Sequence, residues 1–120
     1  MTPIKADIMS RKDVSVLLED FYSRLLNDPI TKPIFDDINM EEHLPIIINF
    51  WCMVLFNEDS YKGNPFNKHT HLNLSKKHFQ TWLFHFESTI KERHDGNKAE
   101  LAVQRAKSIA FIFQSKLGAY

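Results

Sequence analysis

This 120-residue chain predicts an all-α domain, and three observations carry that reading. Apolar residues recur at i, i+3 and i+4 spacing in four long stretches, the mark of helices that bury one stripe. Glycine occurs only three times, at Gly63, Gly96 and Gly118, which is poor for a β-rich chain full of tight turns. Phenylalanine occurs ten times, a large aromatic content for so small a core. A single domain over residues 1–120 is expected, long enough to bury one hydrophobic core. No internal repeat, low-complexity tract or domain boundary interrupts it.

In chain order, Asp13 can cap a first helix whose stripe is Val14, Leu17, Leu18, Phe21, Leu25 and Leu26. Pro29 ends it. "PITKPIFDDI" is a connector with at most a helical turn or two around Phe35. A second helix runs from Met40 to about Asn57, with Pro45 tolerable only near its first turn. It is apolar nearly all round after Leu44, so it is expected to be the most buried element. "NEDSYKGNPF" reads as a loop, followed by a weakly patterned piece carrying His69 and His71. Ser75 caps a third helix with Phe79, Trp82, Leu83, Phe86 and Ile90 on one side, and "HDGN" breaks it at Gly96. The last helix spans about Asn97 to Leu117, with Ala102, Ala106, Ile109, Ala110, Phe113 and Leu117 aligned.

Bulk properties exclude several function classes. Fifteen basic and fifteen acidic residues cancel, so no net field advertises a nucleic-acid or acidic-membrane partner. Cys52 is the sole cysteine; an intrachain disulfide is impossible, which fits a reducing compartment. "MTPIKADIMSRKD" lacks the apolar core of a secretory signal. The longest apolar run, "LPIIINFWCMVLF", is too short for a membrane span and is interrupted by Asn49. A soluble, cytoplasmic domain without a membrane or nucleic-acid partner is expected.

"PFNKHTHLNLSKKHFQTW", residues 65–82, holds three of the six histidines. A structural zinc site wants four ligands, commonly including cysteine pairs, and only one distant cysteine exists here. No nucleophile elbow, carboxylate pair or glycine-rich phosphate loop stands out. Haem makes demands that the chain can meet: one neutral imidazole for the iron, and apolar, aromatic walls for the ring. His43, Ile47, Phe50 and Trp51 lie at i, i+4, i+7 and i+8, so one polar residue shares a helix face with three large apolar ones. Tyr22 is the lone hydroxyl beside Leu18, Leu25 and Leu26, and a buried tyrosine hydroxyl needs a partner. Each residue also has a plain reading: His43 exposed near a helix start, Tyr22 at the core edge, Trp82 as packing. Spacing leaves both readings open.

The order of features adds to this. "FY" in the first helix, then "PIF", "HLPIIINFW", "YKGNPFNKH" and "HFQTWLFHF" together resemble the third group of the truncated haemoglobins, over about residues 10 to 117. The Gly-Gly motifs typical of the first two groups are missing, as they are in the third. The resemblance implies a globin-like two-over-two helical sandwich around haem b. It implies that His69 is the iron ligand, thirteen residues before Trp82, with His71, off-axis, as the runner-up and His78 structural or on the surface. Tyr22, His43 and Trp82 match the residues that face the bound ligand, His43 serving in this family as a gate as well as a donor. Phe21, Phe35, Ile47, Phe50, Trp51 and Phe66 would line the pocket. His85 stands where the family is often apolar and receives no role.

Functionally, the resemblance implies binding of oxygen and other diatomics such as nitric oxide or carbon monoxide. Two donors on the ligand side favour slow oxygen release, which suits redox chemistry with nitric oxide or peroxide, of nitric oxide dioxygenase-like or peroxidase-like type. Electrons would come from an unidentified reductase. Two alternatives stay open: a gas or redox sensor without turnover, and a haem-free helical interaction module.

Overall fold

Ser10, rather than Asp13, caps the first helix, α1 (Arg11–Asn27). The Ser10 hydroxyl accepts the Asp13 N–H at 3.2 Å, and the Asp13 carboxylate reaches back to accept the Met9 N–H at 2.8 Å. Both are cap-forming residue types three positions apart: Ser10 satisfies an orphan helix donor, and Asp13 fixes the chain that leads into the helix. The computed structural model describes residues 5–59, 61 and 74–117. After α1 come a 3₁₀ turn (Lys32–Phe35), α2 (Met40–Phe56), α3 (Lys76–Arg93) and α4 (Asn97–Leu117). Among the described residues there is no strand.

The remaining helix ends follow from local chemistry. Asn39 accepts the Glu41 N–H at 3.0 Å to start α2. Asn57, left-handed at φ 57°, closes it by turning its N–H back to the Met53 carbonyl. Asn49, the polar interruption in the apolar run, accepts a hydrogen bond from Arg11 at 2.9 Å and so links α2 to the start of α1. Ser75 caps α3 as its sequence predicts, with the His78 ring accepting the Ser75 N–H at 2.9 Å.

α4 is capped from a distance. The Asp7 carboxylate accepts the N–H groups of Lys98 at 2.8 Å and Ala99 at 2.9 Å. Gly96, at φ 134°, makes this possible: a Cβ there would stand 2.7 Å from Asp7 Cγ. Residues 5–9 thus strap the α3–α4 turn, and Ile8 of this strap is buried in the core.

Two helix pairs stack on each other. α1 packs with α2 and α3 with α4, while α1 also crosses α3 and α2 touches α4. Ala99, Ala102 and Ala106 are buried and small, which lets α4 approach its neighbours closely. One expectation fails. α2 is not the most buried element: it buries Trp51, Cys52 and Leu55, whereas α1 buries six residues. The reason is that much of the apolar surface of α2 faces a cavity instead of another helix.

Candidate functional site

That cavity, of about 280 Å³, lies between the two helix pairs. α1 contributes Tyr22 and Leu25, and the segment through the 3₁₀ turn contributes Thr31, Ile34, Phe35 and Ile38. α2 supplies His43, Ile46, Ile47, Phe50 and Trp51. His78, Phe79 and Trp82 come from α3, and Ile109, Ala110 and Phe113 from α4. Tyr61 and Leu74 complete the wall. The surface is apolar and aromatic with a few polar side chains, the usual make-up of a site for a mostly hydrophobic ligand.

An aromatic frame holds the polar groups in place. Phe86, fully buried, is stacked between Trp51 at 4.8 Å and Trp82 at 5.5 Å. Phe21 meets Trp82, Phe86 and Tyr22 edge-on. Tyr22 in turn meets Phe35 at 5.8 Å and His43 at 5.9 Å, again edge to face. Edge-to-face and offset contacts at these distances favour fixed ring orientations.

Of the residues singled out in the sequence, Tyr22, His43, Trp82, Phe35, Ile47, Phe50 and Trp51 line this one cavity. Phe21 does not. Its α1 position turns it into the core, where it backs Tyr22 and Trp82. Phe66, His69 and His71 lie outside the described residues. His85 turns away from the cavity, and its Nε2 meets the Asp28 carboxylate at 2.7 Å. That hydrogen bond, with a second from the Ile30 N–H, holds the Asp28 carboxyl below its ordinary acidity range. His78, expected to be structural or on the surface, is both a capping residue and part of the cavity wall.

The polar groups differ in how far they are already engaged. The Thr31 hydroxyl donates to the Leu25 carbonyl at 2.7 Å. Among the described residues, no hydrogen bond engages the Tyr22 hydroxyl or the Trp82 indole N–H. Burial pushes the Tyr22 phenol well above its ordinary pKa. It therefore stays protonated, a donor, throughout the physiological range.

The α4 wall was not assigned from sequence. Ile109, Ala110 and Phe113 sit on a stripe that begins with buried alanines. The signal was the change from small to large side chains at Ile109 and Phe113 on the stripe that the alanines begin.

A family model for bacterial-like globins matches residues 7–115. This chain belongs to the bacterial-like globin family. The group 3 truncated haemoglobin ctb of Campylobacter jejuni is 31% identical over 124 residues, covering 98% of both chains. A group 1 truncated haemoglobin of Tetrahymena thermophila is 33% identical over 99 residues, covering 82% of this chain and 80% of that one. The crystal structure of the group III truncated haemoglobin from Campylobacter jejuni superposes with a TM-score of 0.85 at 30% identity, covering 95% of each chain. The two-over-two globin fold and the resemblance to the third group are thereby established. Haem-based ligand binding follows in general from globin membership, and the cavity fits it: aromatic walls for a flat ring, with unengaged donors inside. Among the described residues, no helix is long and apolar enough to cross a membrane.

Proposed function

We propose that this globin holds haem b in the cavity, with His69 on the iron, and binds oxygen there, with nitric oxide and carbon monoxide as further ligands. Haem iron supplies an open coordination position for a diatomic ligand. Tyr22 and Trp82 supply donors toward that ligand, and His43 stands beside Tyr22 as a third polar group and a gate. One observation carries the reading: two donors line an apolar cavity while no hydrogen bond engages them among the described residues. Both donors open onto the cavity and are not buried without a partner elsewhere, so a polarised diatomic held there can accept from them. Tyr61 and Leu74, the described residues flanking 62–73, both line the cavity, and His69 lies between them in the chain.

Hydrogen bonds to a ligand carrying partial negative charge contribute about 1.5–3 kcal/mol each. Two of them favour retention of oxygen over delivery, and so favour chemistry with nitric oxide or peroxide, fed by a reductase, in the cytoplasm. Stopped-flow oxygen release tests this. Tyr22→Phe and Trp82→Phe are each expected to release oxygen about tenfold faster or more; wild-type rates in both variants contradict the proposal. Nitric oxide consumption by the oxygenated protein separates an enzyme from a gas sensor.

A further inference from the structure

Resting on that haem reading, we propose that His78 forms a carboxylate subsite in the cavity wall: its Nε2–H donates to a propionate of the bound haem. Three observations carry this. The Nδ1 atom of His78 is committed outside the cavity, accepting the Ser75 backbone N–H at 2.9 Å, with the Ser75 hydroxyl at 3.1 Å. With two donors directed at Nδ1, the neutral ring carries its proton on Nε2. The half-buried ring itself lines the cavity. Among the described residues, no further hydrogen bond engages it.

Position identifies the chemical class of the ligand group. His78 lies one helical turn before Trp82, nearer the start of α3, on the same cavity-facing stripe with Phe79. Leu74, four residues earlier in the chain, is also in the wall. His78 is therefore at the end of the α3 wall, beside the exposed Lys76 and Lys77. A diatomic ligand already met by Tyr22 and Trp82 does not account for a further donor at this end of the wall. The carboxylates of a porphyrin need such groups, because a charged group at an apolar boundary must be hydrogen-bonded or hydrated. The capping bond makes His78 a positioning residue: the start of α3 fixes the ring, and the ring fixes the edge of the cofactor.

The experiment is transfer of ferric haem from the holoprotein to an excess of an acceptor apoglobin at pH 7, repeated with haem whose propionates are methyl esters. His78→Glu keeps an acceptor for the Ser75 N–H, since glutamate at this position completes a capping box, but removes the donor. It is expected to lose haem about tenfold faster or more than wild type and to lose the dimethyl ester at the wild-type rate. His78→Gln, which keeps both an acceptor and a donor, is expected to restore slow loss. His78→Leu repeats the cycle without added charge, and circular dichroism verifies that each variant retains its helices. Equal haem loss in wild type, His78→Glu and His78→Leu overturns the inference. So does an acceleration that persists unchanged with the ester, which would make the effect one of helix capping. If wild-type protein takes up no haem at all, the haem reading itself falls, an outcome distinct from either of these.

Discussion

α1 and α2 have the same length, 17 residues, and put their apolar side chains to different uses. α1 carries charged residues over much of its surface, yet it buries Val14, Leu17, Leu18, Phe21, Tyr22 and Leu25. α2 is apolar nearly all round but buries only three residues. Most buried side chains of α1 pack against other helices, with only Tyr22 and Leu25 reaching the cavity, whereas Ile46, Ile47, Phe50, Trp51 and His43 of α2 look into it. Hydrophobicity alone does not measure a contribution to stability; what the side chain touches does. On this account α1 holds the fold together and α2 is the wall of the site.

The largest expected effect tests that contrast directly. Leu18, fully buried in α1, should cost about 3–5 kcal/mol when changed to Ala. Ile47→Ala on the cavity wall should cost about 1 kcal/mol in the haem-free protein, because fewer packed neighbours are lost. Urea unfolding of both variants measures the difference, and equal losses would break the comparison.

Next in size is the α3–α4 turn, which should affect stability without touching the site. Gly96→Ala forces a side chain into φ 134° and against Asp7, with an expected loss of about 2–3 kcal/mol. Tyr22 and Trp82 are remote from this turn along the chain, so the spectrum of bound haem should be unchanged while the unfolding midpoint falls.

A smaller effect is expected of Asp7 itself, and it depends on pH. Burial raises its pKa, but the N–H groups of Lys98, Ala99 and Ile8 outweigh this, with nearby His94 adding to them, so the carboxyl is held below its ordinary value. A pKa depressed by folding means stability that is present above the unfolded value, about 3.9. It is lost as pH falls through the lower folded value. Asp7→Asn should therefore cost about 1 kcal/mol at pH 7, and the gap to wild type should start to close only below about pH 4 and vanish as pH falls below the lowered folded value. A gap that stayed constant down to pH 2 would contradict the ionic cap.

The smallest stability effect should come from Tyr22→Phe. Its hydroxyl has no hydrogen bond among the described residues, so removal should change unfolding by less than about 0.5 kcal/mol. Oxygen release should change far more, which separates a residue of the site from a residue of the core although both lie on α1.

The same contrast explains what was legible in the sequence. The four helices and the Ser75 cap were, because 3.6-residue periodicity and capping chemistry are local. The cap of α1 was misplaced by three residues because Ser10 and Asp13 both have the chemistry of a cap. The burial of α2 was overestimated, since periodicity cannot tell a face against a helix from a face against a cavity. The family resemblance implies Phe21 as a pocket residue, but it adjoins Tyr22, and successive residues on a helix point about 100° apart, so Phe21 faces the core. His85 pairs with Asp28, 57 residues away, and Asp7 with Lys98, 91 residues away. Neither pair leaves a trace in local sequence.

The central claim is that the wall formed by α2 is a haem wall and that His69 supplies the iron ligand. Its most direct test is the ultraviolet–visible spectrum of haem-loaded protein, ferrous and ligand-free, for wild type beside His69→Ala and His71→Ala. The account predicts a Soret band and a five-coordinate ferrous spectrum in wild type and His71→Ala, lost in His69→Ala alone. An unchanged spectrum in His69→Ala, or no Soret band in wild type, would contradict it.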